Sequence, residues 1–182
     1  MKKAFNIAEA RRLINSGNLI LVSTADEDKK NIATVAWNMP ISAEPPLIGI
    51  ALAKEHYTSE LIMVSEEFTI NIPNWLLLDK VVFCGSISGR GKDKFAASGL
   101  TPEPPVKLAE APRIKECIGA IECELYETKE LGDHYLFIGQ PVYAEAAEEL
   151  FADSAWDSGK SELIYHLGGK FFFKSGERTT AE

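Results

Sequence analysis

The chain has 182 residues, of which 46% are hydrophobic and 25% charged, and its 19 Lys and Arg against 27 Asp and Glu give a net charge of −8. This length and composition predict a single folded domain over residues 1–182 and argue against disorder. The acidic balance argues against broad binding to nucleic acid or to an anionic membrane surface.

The cysteines and the N-terminal residues indicate the cellular compartment in which the protein is expected to act. The three cysteines, Cys84, Cys117 and Cys123, form no CxxC pair, so neither a disulfide framework nor a zinc site is indicated, and we expect buried thiols. The first residues do not resemble a signal peptide, and no apolar run approaches the roughly 20 residues of a membrane helix. We therefore expect a soluble, cytoplasmic protein that makes no contact with membranes.

The first third of the chain predicts a helix followed by strands. Apolar residues recur at helical spacing after a possible capping box formed by Asn6 and Glu9, so a short amphipathic helix is expected. Strands rich in apolar and β-branched residues are predicted over 19–24, 32–38 and 47–53, the first two as a hairpin. The chain is expected to break before the third strand at three prolines: Pro40, Pro45 and Pro46.

The middle of the chain alternates helices with one strand. The pattern predicts helices over 57–65, 75–83 and 92–97 and a strand over 68–73. The most glycine-rich loop of the chain, 85–91, separates the last two helices.

The remainder predicts hairpins and an extended proline-rich segment, which either crosses the domain or, alternatively, links two domains. Residues 101–112 are predicted to be extended, and residues 117–128 and 133–145 to form a long hairpin. Residues 146–161 are predicted to be irregular or partly helical, and residues 163–167 and 170–174 to form two short strands. Six to eight short strands in hairpins do not alternate regularly with long helices. We therefore predict a mainly β protein, an antiparallel β-barrel with peripheral helices.

Several familiar functional motifs are absent from the sequence. It contains no GxGxxG after a strand, no GxxxxGK[ST], no HExxH and no GxSxG. The three histidines lack metal-ligand spacing, so we do not expect a metal site.

Hydroxyl, amide and aromatic residues instead gather at predicted strand and helix ends, as Trp37, Thr58 and Asn71 do. Together with the lysines near the glycine-rich loop, they suit a phosphorylated aromatic ligand. A simpler interpretation stays open on these residues alone. In that case Trp37 belongs to the core, Thr58 only caps a helix, Asn71 satisfies a turn and the lysines are solvated.

The sequence resembles the flavin reductase-like FMN-binding family, and within it the flavoredoxins, over about residues 15–174. The resemblance rests on short segments in the family's order: 31–37 (NIATVAW), 44–51 (EPPLIGIA), 57–58 (YT), 68–73 (FTINIP), 88–90 with 93–95 (SGR and DKF), and 132–139 (GDHYLFIG). Each segment is unspecific alone, but six of them in order are specific.

Membership would imply an FMN-binding split β-barrel of Greek-key type that acts as a homodimer, with FMN held non-covalently near the dimer interface. The residues that match the family's cofactor-binding positions are Asn31, Thr34, Ala36, Trp37, Ala51, Ala53, Thr58, Asn71, Ser88, Lys94 and His134. Thr58 matches a phosphate contact. Glu55 and His56 depart from the Arg or Ser that many relatives carry just ahead of it, which puts part of the phosphate binding in question.

The resemblance implies three functions that the sequence separates poorly. The first is a reductase that takes electrons from NADH or NADPH and passes them through FMN to a small acceptor or partner protein. The second is a flavoredoxin-type electron carrier, with FMN as a fixed prosthetic group and a redox protein as partner. The third is a flavin-storing or inactive member. His134 is the candidate catalytic residue, placed to orient a nicotinamide or to hydrogen-bond the flavin.

Overall fold

The computed structural model describes residues 7–14, 17–177 and 179. Its thirteen strands are β1 (Ile20–Asp26), β2 (Lys29–Val35), β3 (Asn38–Ala43), β4 (Pro46–Ala53), β5 (Glu67–Ile72), β6 (Pro102–Glu103), β7 (Arg113–Ile114), β8 (Gly119–Leu131), β9 (His134–Ala146), β10 (Phe151–Ala152), β11 (Ala155–Trp156), β12 (Ile164–Gly168) and β13 (Phe171–Lys174). The helices are α1 (Tyr57–Ser65), α2 (Leu78–Ser86), α3 (Lys94–Ser98) and α4 (Ser158–Ser161), with short 3₁₀ helices at Ile7–Leu13 and Trp75–Leu77. None of the described helices is long and apolar enough to cross a bilayer.

Seven strands form one antiparallel sheet, in the order β2-β1-β5-β8-β9-β4-β3. Strands β1, β2, β4, β5, β8 and β9 all send side chains into one core. Val22, Ile50, Phe68 and Phe137 are each 0% exposed within it. A sheet that curves around a shared core confirms the predicted mainly β barrel architecture.

A second core joins two of the helices to the outside of the barrel. Leu21 and Ile32 of β1 and β2 are buried against Val81 and Cys84 of α2 and Phe95 of α3. This packing holds the loop between α2 and α3 beside β2. The glycine-rich loop is thereby placed next to strand residues that are distant in sequence.

The N-terminal helix differs from the prediction. Residues Ile7–Leu13 form a 3₁₀ helix and not the expected amphipathic α-helix. Ile7 is 86% exposed and Leu13 73% exposed, so the apolar face lacks the packing that stabilises most short α-helices. The predicted capping box cannot be compared, because Asn6 and the side chain of Glu9 lie outside the residues that the structure describes.

The predicted break at Pro40 is also wrong, since β3 runs through this residue. β3 is an edge strand, and its pairing with β4 shifts register between Pro40 and Ser42. An edge position beside a bulge tolerates proline because no ladder hydrogen bond is lost. The segment predicted as irregular, 146–161, contains the small β10–β11 hairpin and α4.

The proline-rich crossing segment is fastened to the barrel by two carboxylates. Glu122 of β8, 0% exposed, accepts hydrogen bonds from the amides of Val106, Lys107 and Leu108 at 2.7, 2.7 and 3.1 Å. Glu67 of β5 accepts from the next three amides, those of residues 109–111, at 2.9, 2.6 and 2.6 Å. Six consecutive amides are thus satisfied without regular secondary structure.

The cysteine prediction holds for two of the three thiols. Cys84 and Cys123 are buried, whereas Cys117 is half-buried, and all three are free. Burial raises the pKa of the Cys123 thiol to about 12, so this group is neutral and inert at physiological pH.

Candidate functional site

Two adjoining cavities lie on the side of the barrel that carries β2 and the N-terminus of α1. The first, called here the Lys94 cavity, has a volume of about 330 Å³ and is closed on one side by the glycine-rich loop. The second, the Trp37 cavity, has a volume of about 280 Å³. Thr34 and His56 line both cavities, so one elongated ligand can occupy the two together.

Lys94 is a buried cation at the base of its cavity. Asp93 caps α3 through the amide of Ala96 at 3.1 Å, which fixes Lys94 as the first residue of that helix. The Lys94 ammonium is held by the carbonyls of Ile32 and Cys84 at 2.8 and 2.7 Å, and the residue is 4% exposed.

The ammonium of Lys94 has no counterion in the described part of the chain. No carboxylate there lies within 4.0 Å of its Nζ. Burial lowers the pKa of Lys94, and the neighbouring Cys84 opposes this shift. A buried cation without a paired charge is costly, and an anionic ligand beside it would remove that cost.

Asn31 and Thr58 form a second polar contact at the same cavity. The side-chain amide of Asn31 donates to the Thr58 hydroxyl at 2.8 Å, while its Oδ1 atom is buried without a partner. Since the Thr58 oxygen accepts from Asn31, its own proton is left to donate. A Cβ atom on Gly89 would lie 2.1 Å from Asn31 Oδ1, so only glycine fits where the loop crosses Asn31.

The N-terminus of α1 opens onto this cavity. Tyr57 and Thr58 are its first two residues and both line the cavity, and their amides lack intrahelical acceptors, as in every α-helix. Such an end favours an anion. His56 precedes the helix; partial burial lowers its pKa, Glu55 opposes this, and His134 and Lys94 lower it further.

The Trp37 cavity has aromatic and small-residue walls. The rings of Trp37 and His134 are stacked, with centroids 4.8 Å apart and planes inclined by 29°. Trp37 is 41% exposed and is therefore not a core residue. Ala51 and Ala53 of β4 lie on the neighbouring strand, where Ala53 pairs in register with His134. Small side chains beside a stacked pair leave a surface suited to a flat ring.

Hydrogen bonding fixes the orientation of His134. Its Nδ1 atom lies 2.7 Å from the carboxylate of Asp133. This hydrogen bond and the charge of the imidazole lower the pKa of Asp133. With Nδ1 engaged, Nε2 is left to contact a ligand in the Trp37 cavity.

The structure brings ten of the eleven predicted site residues to the two cavities. The Lys94 cavity is lined by Asn31, Thr34, Thr58, Ser88 and Lys94. The Trp37 cavity is lined by Thr34, Ala36, Trp37, Ala51, Ala53 and His134. These residues come from segments that are far apart in the sequence, and the fold brings them together.

Asn71 is the exception, and its place near a ligand stays a prediction. It is 0% exposed and lines neither cavity. Its amide nitrogen donates to Ser23 Oγ at 2.8 Å and to the Leu21 carbonyl at 3.2 Å, and its oxygen accepts from the amide of Ile114 at 2.7 Å. These bonds join β1, β5 and β7, which is a structural role.

Two histidines that are not among the predicted site residues also reach the cavities. His56 lines both cavities, and His166 of the β12–β13 hairpin lines the Trp37 cavity. The only signal for His56 in the sequence was its place beside the Tyr57-Thr58 match. The position of His166 is explained by the β-bridge between Asn18 and Tyr165. This bridge places the C-terminal hairpin beside the start of β1.

Comparison with known proteins places this geometry in context. Residues 11–171 match the family model described as flavin reductase like domain. Flavoredoxin of Desulfovibrio vulgaris (Miyazaki F) has a similar structure, with a TM-score of 0.88 and 32% identity over 100% of this chain and 97% of that chain. An FMN-binding protein from Thermus thermophilus, solved with bound 1-cyclohex-2-enone, gives a TM-score of 0.87 and 25% identity over 100% and 99%.

A curated relative is named as the reductase component of a monooxygenase. The reductase component of 4-hydroxyphenylacetate 3-monooxygenase from Thermus thermophilus is 25% identical over 149 residues, covering 82% of this chain and 88% of that protein.

Proposed function

This chain belongs to the flavin reductase-like family, and from that premise we propose that it is an FMN-binding oxidoreductase: an NADH- or NADPH-dependent reductase that passes electrons through bound FMN to a small acceptor or a partner protein. The observation that carries the proposal is the buried ammonium of Lys94. Among the described residues it has only carbonyl partners, and it lies in a cavity that adjoins an aromatic one. The reductase component named above supports the enzymatic form.

The residues present fit FMN, which joins a flat ring to a phosphate through a short chain. Lys94 and the Thr58 hydroxyl supply a cation and a donor for the phosphate, and the unpartnered Oδ1 of Asn31 supplies an acceptor for a hydroxyl of the chain. Trp37 and His134 supply the stacking surface for the ring. When bound, FMN supplies hydride acceptance and the release of electrons singly or in pairs.

The protein's own task is to bind and orient. Lys94 and the α1 amides neutralise the phosphate, and the stacked Trp37 and His134 define the plane of the ring. We infer that His134, oriented by Asp133, contacts the ring or an arriving nicotinamide through Nε2. Binding requires these residues to move no proton.

Stopped-flow mixing tests this function. The FMN-loaded protein, mixed anaerobically with NADH and then with NADPH, is expected to lose its flavin absorbance with at least one of them, on the timescale of turnover. His134→Ala is expected to slow the bleaching by about 10- to 100-fold, in line with a lost orienting contact, and to shift the flavin spectrum. Unchanged rate and spectrum in His134→Ala would remove His134 from the mechanism.

The same stopped-flow measurement distinguishes the reductase from the second candidate function, an electron carrier of flavoredoxin type. The structural match and 32% identity to a flavoredoxin favour it. Bound FMN that neither nicotinamide bleaches, but that a ferredoxin-like donor reduces, would establish the carrier and reject the reductase. A protein that takes up no FMN would reject both. The three cysteines form no disulfide with one another, which supports our further proposal that either form acts in the cytoplasm.

We also propose that two copies of the chain associate through the β3 edge. Trp37, Met39 and Ile41 are 41%, 50% and 39% exposed there, and an apolar cleft of about 390 Å³ adjoins them. Unpaired edge strands with exposed apolar side chains are normally covered, and a second copy would cover this edge beside the Trp37 cavity.

Sedimentation velocity tests the association. The wild type is expected to sediment as a dimer, and Met39→Glu combined with Ile41→Glu as a monomer, because the charges would lie in an apolar contact. Met63→Glu is the control, since Met63 is equally exposed at 49% but lies on α1. A monomeric wild type at tens of micromolar would contradict the proposal.

A further inference from the structure

Cationic side chains are concentrated at the Trp37 cavity. Arg11 and Arg12 of the N-terminal 3₁₀ helix both line it and are called here the arginine pair. Three histidines line it as well: His56, His134 and His166. Among the described residues that line this cavity there is no carboxylate, and Asp133, which binds His134, is not one of them. In a chain with a net charge of −8, such a wall favours an anionic ligand.

The C-terminal hairpin positions the Arg12 side chain. A Cβ atom on Gly168 would lie 2.0 Å from Arg12 Nη1 and 3.1 Å from its Cζ. Gly168 has a φ of 109°, which favours glycine, and the pairing of β12 with β13 shifts register between His166 and Gly168. The Arg12 guanidinium therefore lies directly against the backbone that also brings His166 to the cavity.

Both members of the arginine pair line the cavity and are exposed to solvent. A guanidinium in this position reaches groups of a ligand that project from the cavity into water. Its planar array of donors matches the oxygens of a phosphate. The arrangement suits a ligand whose ring enters the cavity while its phosphates stay near the surface.

FMN bound as proposed above brings no negative charge to the arginine pair. Its phosphate would lie at Lys94 and Thr58 in the neighbouring cavity. The oxidised flavin ring, which would occupy the Trp37 cavity, carries no net charge. Since one phosphate cannot lie at both ends of the ligand, the arginine pair fits a second ligand, one that is anionic and lies against the same ring.

We propose that the arginine pair binds a phosphate of the nicotinamide dinucleotide that reduces the flavin. The inference rests on the proposed function, which supplies both the flavin ring at Trp37 and a dinucleotide as electron donor. NADH and NADPH share a diphosphate, and NADPH carries a further phosphate on its adenosine ribose. Each presents the oxygens that a guanidinium recognises. The arginine pair binds and positions the donor and takes no part in the electron transfer.

Stopped-flow reduction of the FMN-loaded protein by three donors tests the proposal. The donors are NADH, NADPH and N-benzyl-1,4-dihydronicotinamide, which has the same reducing ring and no phosphate. In Arg11→Gln combined with Arg12→Gln, the dinucleotide concentration that gives half the maximal rate is expected to rise about 30-fold, with the maximal rate within about twofold. The uncharged donor is expected to react as it does with the wild type. An equal rise for both dinucleotides assigns the diphosphate, and a larger rise for NADPH assigns the ribose phosphate.

Two further variants separate a specific contact from general charge. Arg12→Lys keeps the cation and is expected to lose less dinucleotide affinity than Arg12→Gln. Lys170→Gln removes an exposed cation from the turn of the same hairpin. Because Lys170 is not among the residues that line the Trp37 cavity, its substitution is expected to leave the half-saturating concentrations unchanged.

Unchanged half-saturating concentrations in the double variant, or an equal rise for the uncharged donor, would overturn the proposal. Weaker FMN binding or a shifted flavin reduction potential, with dinucleotide saturation unaltered, would make the arginines contacts of the flavin instead. Failure of the proposed function is distinguishable, because a wild type whose flavin neither dinucleotide bleaches rejects the reductase. Titration calorimetry with NAD⁺ and NADP⁺ then decides the arginine pair: binding that the double variant loses retains it, and no binding rejects it.

Discussion

Lys94→Gln is expected to weaken FMN binding by about 50-fold, because a charge-assisted hydrogen bond is worth roughly 1.5–3 kcal/mol and each 1.4 kcal/mol is tenfold in affinity. Glutamine keeps one donor for the carbonyls of Ile32 and Cys84, which hold the native ammonium, but removes the charge that the phosphate would meet. The measurement is a fluorescence titration of the apoprotein with FMN.

Riboflavin and Lys92→Gln are the controls for this substitution. Riboflavin has the same ring without the phosphate, so its affinity is expected to change by less than about threefold if the variant stays folded. Lys92→Gln removes a cation two residues away that lies over Phe83, and FMN affinity should be unaltered. Equal losses for FMN and riboflavin would show that Lys94 supports the fold and does not meet the phosphate.

Glu122→Gln is expected to lower the free energy of unfolding by about 3 kcal/mol, because a carboxamide has one acceptor oxygen and turns an NH₂ group toward buried amides. The native carboxylate accepts from three amides while 0% exposed. Urea unfolding followed by tryptophan fluorescence measures the change.

The matched control is Glu124→Gln on the same strand. Glu124 is exposed, and its substitution should change the unfolding free energy by no more than about 0.5 kcal/mol. A Glu122→Gln variant as stable as this control would mean that the crossing segment is held by its other contacts. The apolar packing of Leu108 and the three Glu67 hydrogen bonds would then suffice.

Local patterns predicted much of the fold. The bounds of α1 agree with the predicted 57–65, and the β8–β9 hairpin lies within two or three residues of its prediction at each end. The hairpin turns at Gly132, which adopts the left-handed conformation with φ of 61° and is a clear turn signal in the sequence. The 3₁₀ helix and the strand through Pro40 were missed, since packing and edge position, not local propensity, decide those two.

The individual residues of the candidate site could be predicted only from the family resemblance. The residue types indicated a phosphate and a flat ring, but nothing local told Lys94, which is buried, from Lys92, which is exposed. Asn71 lines neither cavity, because its hydrogen-bond partners Leu21, Ser23 and Ile114 belong to other strands, and no local pattern predicts those bonds. Arg90 pairs with Glu60, thirty residues away, and no spacing rule predicts this ion pair.

The net charge of −8 does not describe the surroundings of the candidate site. Two of the acids, Glu67 and Glu122, accept hydrogen bonds from backbone amides inside the protein. The one buried cation at the site, among the residues described, is Lys94. The net charge is therefore no obstacle to an anionic ligand, because the ammonium of Lys94 and the α1 amides lie at the Lys94 cavity, although Glu55 also lines it.

A crystal structure of the protein grown with FMN tests the central claim most directly. The account predicts one FMN in each chain, with its phosphate within hydrogen-bonding distance of Lys94 or the Thr58 hydroxyl and its ring against Trp37 and His134. FMN bound outside the two cavities, or bound with its phosphate away from Lys94 and Thr58, would contradict it.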